Sequence, residues 1–167
     1  EIGSGLVGSE MCIRDSPAVA TSYSYIGQIY FAQNDYSKAL DYFKKSLKIV
    51  LSVYGENHSQ VSSIYDHIGE VYFAQKDYSK ALYYFEESLK IRLSLFGENH
   101  PEVALSYYSI GSLYIIQGDK SKALNYYEKS LKIRLSVYGE NHPLTKEIMD
   151  LINVANSKVL QSPETTK

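Results

Sequence analysis

Tryptophan is missing from this 167-residue chain, and cysteine occurs once, at Cys12. One thiol cannot close an internal disulfide, so burial and hydrogen bonding must hold the fold, and the composition fits a reducing compartment. Excess charge of either sign is missing too: 17 Lys and Arg against 19 Asp and Glu leave a formal net charge of −2. That balance gives no electrostatic footprint for nucleic acid. No apolar run reaches the about 18 residues of a membrane span, so no membrane is expected as a partner and the chain is read as cytoplasmic. No Ser–His–Asp or paired-carboxylate constellation gathers in one place, and Asp66 and Glu70 stand four apart, ordinary surface spacing on a helix. Neither catalysis nor a cofactor is expected of these residues.

What the chain does have is a period. Gly-Glu-Asn-His occurs at Gly55–His58, Gly97–His100 and Gly139–His142, 42 residues apart each time. A fixed step of this size marks a stacked repeat array. The units are 17–58, 59–100 and 101–142, and the second and third agree at 24 of 42 positions. The first half of each unit spaces apolar residues four, three and four apart: Val19, Tyr23, Ile26, Tyr30, then Val61, Tyr65, Ile68, Tyr72, then Val103, Tyr107, Ile110, Tyr114. This is one stripe of an α-helix, A. A second helix, B, carries Ala39, Leu40, Phe43, Leu47 and Val50, then Ala81, Leu82, Phe85 and Leu89, then Ala123, Leu124, Tyr127 and Leu131.

The punctuation places the ends. Pro17, Pro101 and Pro143 suit the first position of a helix A, with Ser16 capping the first. Asp35, Asp77 and Asp119 are expected as N-caps of helix B, preceded by left-handed residues at Asn34, Lys76 and Gly118. Gly55, Gly97 and Gly139 close helix B, giving helices over roughly 36–54, 78–96 and 120–138. Mid-helix Gly27, Gly69 and Gly111 each cost about 1 kcal/mol relative to Ala, which implies a packing reason. The expected one is close approach of helix A to Ala39, Ala81 and Ala123.

These residues resemble the tetratricopeptide repeat. The family's aromatic–x–x–Leu–Gly–x–x–Tyr run is similar to Tyr23…Ile26-Gly27…Tyr30 and its two copies, and Ala–x–x–x–Phe is similar to Ala39…Phe43, Ala81…Phe85 and Ala123…Tyr127. The long period resembles kinesin light chain-type repeats. The resemblance, over residues 17 to about 160, implies an all-α, right-handed α-α superhelix of three helix pairs plus a C-terminal capping helix over 143–160. That last helix would set Ile148, Leu151, Ile152, Ala155 and Val159 inward, with Lys146, Asp150, Asn153 and Asn156 facing water. Residues 161–167 are expected to be disordered. Residues 1–16 carry no helical period and begin without Met, and 7–15 resemble a translated sequencing adapter, so 1–16 are read as a non-native or disordered leader, with a genuine linker as the alternative, and the chain as a fragment.

Function is expected on the concave face lined by helix A. The resemblance implies partner-binding positions at Ser24, Tyr25, Gln28 and Phe31 in the first unit. The second contributes Asp66, His67, Glu70 and Phe73, and the third Tyr108, Ser109, Ser112 and Ile115. Phe31, Phe73 and Ile115 are alternatively read as buried between helices. The face offers no Lys or Arg, so no clamp for acidic C-termini of the co-chaperone kind is expected. Kinesin light chains carry an Asn before the Leu–Gly pair, where this chain has Tyr25, His67 and Ser109. An aromatic, mildly acidic groove for a peptide or helix with basic and apolar side chains remains. His58, His100 and His142 are loop residues and no metal site: repeat neighbours lie on the order of 10 Å apart, too far to share an ion. The leading reading is a protein-interaction scaffold. A regulatory arm of a larger signalling enzyme or nucleotide-driven switch is the alternative, and self-association through an uncapped N-terminal face a third reading.

Overall fold

The computed structural model describes residues 16–157. Cys12 with the leader, and Val159, Leu160 and the polar tail, lie outside the described residues. Among those described there are seven α-helices and no strand: α1 (Pro17–Ala32), α2 (Tyr36–Tyr54), α3 (Ser59–Ala74), α4 (Tyr78–Phe96), α5 (Pro101–Gln117), α6 (Lys120–Tyr138) and α7 (Pro143–Ser157). The three B helices begin and end where the Asp and Gly punctuation sets them. The chain forms two compact units that divide between Leu95 and Phe96.

In the first unit α1 packs on α2 and α2 on α3. Val61, Ile68, Val71, Ala39 and Phe43 are buried there, each large side chain contributing about 1.5–3 kcal/mol through lost contact with water. In the second unit α5 packs on α6 and α6 on α7. Val103, Ile110, Leu113, Ala123 and Ile148 form its interior. On α7, Ile148 and Ala155 are buried and Lys146, Asp150, Asn153 and Asn156 are exposed.

The mid-helix glycines face an aromatic ring first, and only at Gly111 is the expected alanine also close, with the Ala123 carbonyl oxygen 3.3 Å from an added Cβ. A Cβ on Gly27 would stand 2.6 Å from the Phe43 ring, one on Gly69 2.7 Å from Phe85, and one on Gly111 2.7 Å from Tyr127. Glycine makes room for the aromatic of the Ala–x–x–x–Phe pattern, so the contact is ring against backbone. The tyrosine stripes are half-buried and clamp the outside of each helix pair. Tyr30 stacks on Tyr42 at 5.4 Å, Tyr72 on Tyr84 at 5.6 Å and Tyr114 on Tyr126 at 5.7 Å.

One turn design joins α1–α2, α3–α4 and α5–α6. The Lys76 N–H donates to the Phe73 carbonyl and the Asp77 N–H to the Tyr72 carbonyl, each at 2.9 Å, with equivalents at Asn34–Asp35 and Gly118–Asp119. This is a Schellman closure. Asn34 (φ 59°), Lys76 (φ 63°) and Gly118 (φ 82°) occupy its left-handed position as the sequence implies. The Asp that completes it then caps the next helix, accepting from the N–H of Lys38, Lys80 or Lys122. At the other end of the unit, Gly55 (φ 77°, ψ −175°) and Gly139 (φ 80°, ψ 170°) adopt a backbone region essentially closed to other residues. The histidine three residues later is itself a helix cap. Nδ1 of His58, His100 and His142 accepts from the N–H of Gln60, Glu102 and Leu144, each at 3.2 Å. Each ring stacks on the aromatic that ends helix B: Tyr54 at 4.2 Å, Phe96 at 4.3 Å and Tyr138 at 4.5 Å.

Candidate functional site

The first unit brings part of the expected surface together. Ser24, Tyr25 and Gln28 of α1 and His67 of α3 line one open hollow of about 170 Å³, with Thr21, Ser46, Val50, Gln60, Ser63 and Ile64. Tyr25 is 62% exposed. The Gln28 amide donates to His67 Nε2 at 3.0 Å. Since an amide nitrogen can only donate, the ring proton sits on Nδ1, which faces Glu70 Oε2 at 3.4 Å. The ring also stacks on Phe43 at 5.2 Å. Gln28, His67 and Glu70 thus form one polar rail across α1 and α3, and Glu70 is exposed.

Three other expected site residues of this unit point elsewhere in their chemistry. Asp66 is held by Arg92 of α4, Oδ2 to Nη2 at 2.6 Å, and both side chains are largely buried. Burial pushes the Asp66 carboxyl above its ordinary range, while the Arg92 guanidinium and the Ser88 hydroxyl pull it back. Phe73 meets Tyr78 edge-on at 5.9 Å, and Phe31 meets Tyr36 at 6.0 Å. Both rings are half-buried and cover the first residue of the following helix.

In the second unit the corresponding residues engage the final helix. The Tyr108 hydroxyl donates to Glu147 Oε1 at 3.1 Å; burial, then that carboxylate, hold its pKa up. Ser112 Oγ bonds the Tyr108 carbonyl at 3.0 Å and lies 3.1 Å from the Tyr127 hydroxyl. Ser109 is half-buried. Ile115 has Lys120 where Phe31 and Phe73 have tyrosines, and it lines an apolar hollow of about 210 Å³ with Tyr127, Leu151 and Val154.

Arg92 and Arg134 are the residues that sequence reasoning passed over. They occupy the position of Val50 on the buried stripe of helix B, and both are nearly fully buried. Arg134 donates to the Leu144 carbonyl and to Glu147 Oε2, and its guanidinium lies 5.0 Å from the Tyr108 ring centre. Asking what replaces Val50 in the later units would have found both. Among the described residues no group of three His, Cys, Asp or Glu stands close enough to hold a metal ion, and no helix is long and apolar enough to cross a membrane.

The tetratricopeptide repeat family profile matches residues 18–94 and again 60–136. No curated protein matches the sequence. Among solved structures, the chain is similar to a putative kinesin light chain with nearly identical TPR-like repeats from Podosopora anserina. The TM-score is 0.74 and the identity 16%, over 87% of this chain and 71% of that one. It is also similar to BtubC (BKLC) from P. vanneervenii, with TM-score 0.71 and 19% identity over 91% and 69%. The N-terminal domain of stress-induced protein-1 from C. elegans follows at TM-score 0.62 and 17% identity, over 84% and 96%. At such identities the likeness is one of all-α repeat fold.

Proposed function

The chain belongs to the tetratricopeptide repeat family, whose repeats are typically protein-interaction scaffolds, and from that premise we propose that it binds a peptide or helix of a partner protein on the face of α1 and α3. The observation that carries this reading is the hollow between these helices, with the exposed Tyr25 ring beside it and a polar rail from Gln28 through His67 to Glu70. An aromatic with one apolar face and one wet end suits recognition of a peptide side chain. The rail ends in an exposed carboxylate, and neither it nor the hollow includes a Lys or Arg. The reading therefore favours a partner segment with basic and apolar side chains. The function is binding, without turnover, and the location read from the sequence is the cytoplasm.

A peptide selected on the chain from a random display library provides the test. Tyr25→Ala should weaken its binding at least tenfold, and Asn125→Ala, an exposed α6 position, should leave it unchanged. A selected peptide indifferent to both Tyr25→Ala and Gln28→Ala would overturn the assignment of this face.

A further inference from the structure

The hollow occupies a position that the chain elsewhere fills with its own arginine. In the 42-residue register, Arg134, Tyr108, Leu144 and Glu147 of the second unit correspond to Val50, Ser24, Gln60 and Ser63 of the first. In the second unit those four make one cluster, with the guanidinium bonded to the Leu144 carbonyl and Glu147 and lying over Tyr108. In the first unit the same four positions line the hollow between α1 and α3. Valine ends where arginine would continue, so the volume stays open.

The four aliphatic hydroxyls of that lining have already given their protons away. Thr21 donates its hydroxyl proton to the Pro17 carbonyl at 3.0 Å, and Ser63 to the Ser59 carbonyl at 3.0 Å. Ser46 donates to the Ala20 carbonyl at 2.7 Å, so the 2.8 Å contact between Ser24 and Ser46 uses the Ser24 proton. These four hydroxyls therefore keep only acceptor capacity toward a ligand, while the exposed Tyr25 hydroxyl can still donate. One N–H of the Gln28 amide is engaged by His67. Gln60 Oε1 is buried with no hydrogen-bond partner, on the residue whose counterpart Leu144 gives its backbone carbonyl to Arg134. A buried acceptor left unmet carries a desolvation cost that an incoming donor removes. At about 170 Å³ the hollow is below the ~300–1,000 Å³ of small-molecule pockets and matches a side-chain head group.

We propose that this hollow is an arginine site: the guanidinium of a partner protein's arginine enters between α1 and α3 and takes the place that Arg134 takes in its own unit. The proposal rests on the scaffold reading and adds to it the residue that the partner must supply. A planar fork of five donors can reach several of the acceptors at Thr21, Ser24, Ser46, Gln60 and Ser63 at once and lay its flat face on the apolar part of the wall, where a lysine ammonium offers three donors from a point.

The experiment is a ¹H–¹⁵N titration of the whole chain with N-acetyl-arginine amide and N-acetyl-citrulline amide, which has the same shape and no charge. The arginine probe should move the amide signals of Thr21, Ser24, Gln60 and Ser63, and the citrulline probe should need at least tenfold more to do so. Ser63→Glu, which copies Glu147 at an exposed position, should tighten arginine binding about tenfold, and Ser63→Lys should abolish it. Val50→Arg should fill the hollow from within and erase the arginine response while circular dichroism stays helical. Equal response to citrulline, no response to arginine, or no tightening in Ser63→Glu would each overturn the proposal; the Ser63 variants decide it even if Val50→Arg fails to fold. A display-selected peptide that needs Tyr25 and no arginine would sink the arginine site and leave the scaffold standing. Arginine binding without any peptide on α1 and α3 would do the reverse.

Discussion

Position 134 carries a buried arginine packed among Tyr108, Glu147 and the Leu144 carbonyl, whereas position 50, its counterpart two repeats earlier, carries a buried valine beside an open hollow. The same backbone thus produces a finished surface in one unit and an unfinished one in the other. Between them in sequence, Arg92 is neutralised within its own repeat, by Asp66. Three copies of one fold differ most where function is proposed, while the tyrosine clamps, the aromatic-on-glycine contacts and the histidine caps hardly change. The period carries the fold, and the proposed specificity lies where the chain departs from the period.

The largest effect expected is at the filled positions. Arg92→Ala leaves the Asp66 carboxylate buried without its partner and should cost about 3 kcal/mol, read by urea unfolding. Val50→Ala, by contrast, removes only two buried methyls and should cost about 2 kcal/mol or less. Should the two costs come out reversed, the division into filled and open positions fails. Arg134→Ala comes next, at roughly 2 kcal/mol, because Glu147 is half-exposed and can rehydrate. Gly69→Ala and Gly111→Ala should each cost a similar ~2 kcal/mol, since a buried ring 2.7 Å from the new methyl must move. Equal losses there would confirm that this contact is common to both units. His58→Ala and His142→Ala should each lower stability by about 1 kcal/mol through loss of a helix cap.

The smallest effect is a pH dependence shared by all three turns. The Lys38 and Lys80 side chains hold Asp35 and Asp77 below the usual carboxylate range, and the Lys122 backbone N–H does so for Asp119. A carboxyl with a lowered folded pKa adds stability that is complete above its unfolded value of 3.8 and lost as pH falls through the folded one. Thermal midpoints should therefore drop below pH 3.8 more steeply in the wild type than in the triple Asp→Asn variant.

Most of the fold was legible in the sequence because helix period, proline, aspartate and glycine act locally, and three copies repeat the signal. Lys76 illustrates this: its left-handed conformation follows from the Asp77 behind it, against its own preference. The site was legible only in part. Ser24, Tyr25, Gln28 and His67 share one hollow as their spacing implies, because helical phase alone decides which side of α1 and α3 they occupy. Asp66, Phe31 and Phe73 were harder, since Arg92, Tyr36 and Tyr78, which engage them, come from another helix. Periodicity specifies which face a residue takes. It does not specify what stands opposite. The buried arginines were missed for the same reason: charge on an apolar stripe makes sense only once its partners are in view.

One measurement reaches the centre of this account: amide hydrogen exchange of the chain with and without a saturating display-selected peptide. Protection concentrated on α1 and α3, around Ser24, Gln28, Ser63 and His67, is the expected result. Protection confined to the exposed faces of α2, α4 or α6 would contradict it.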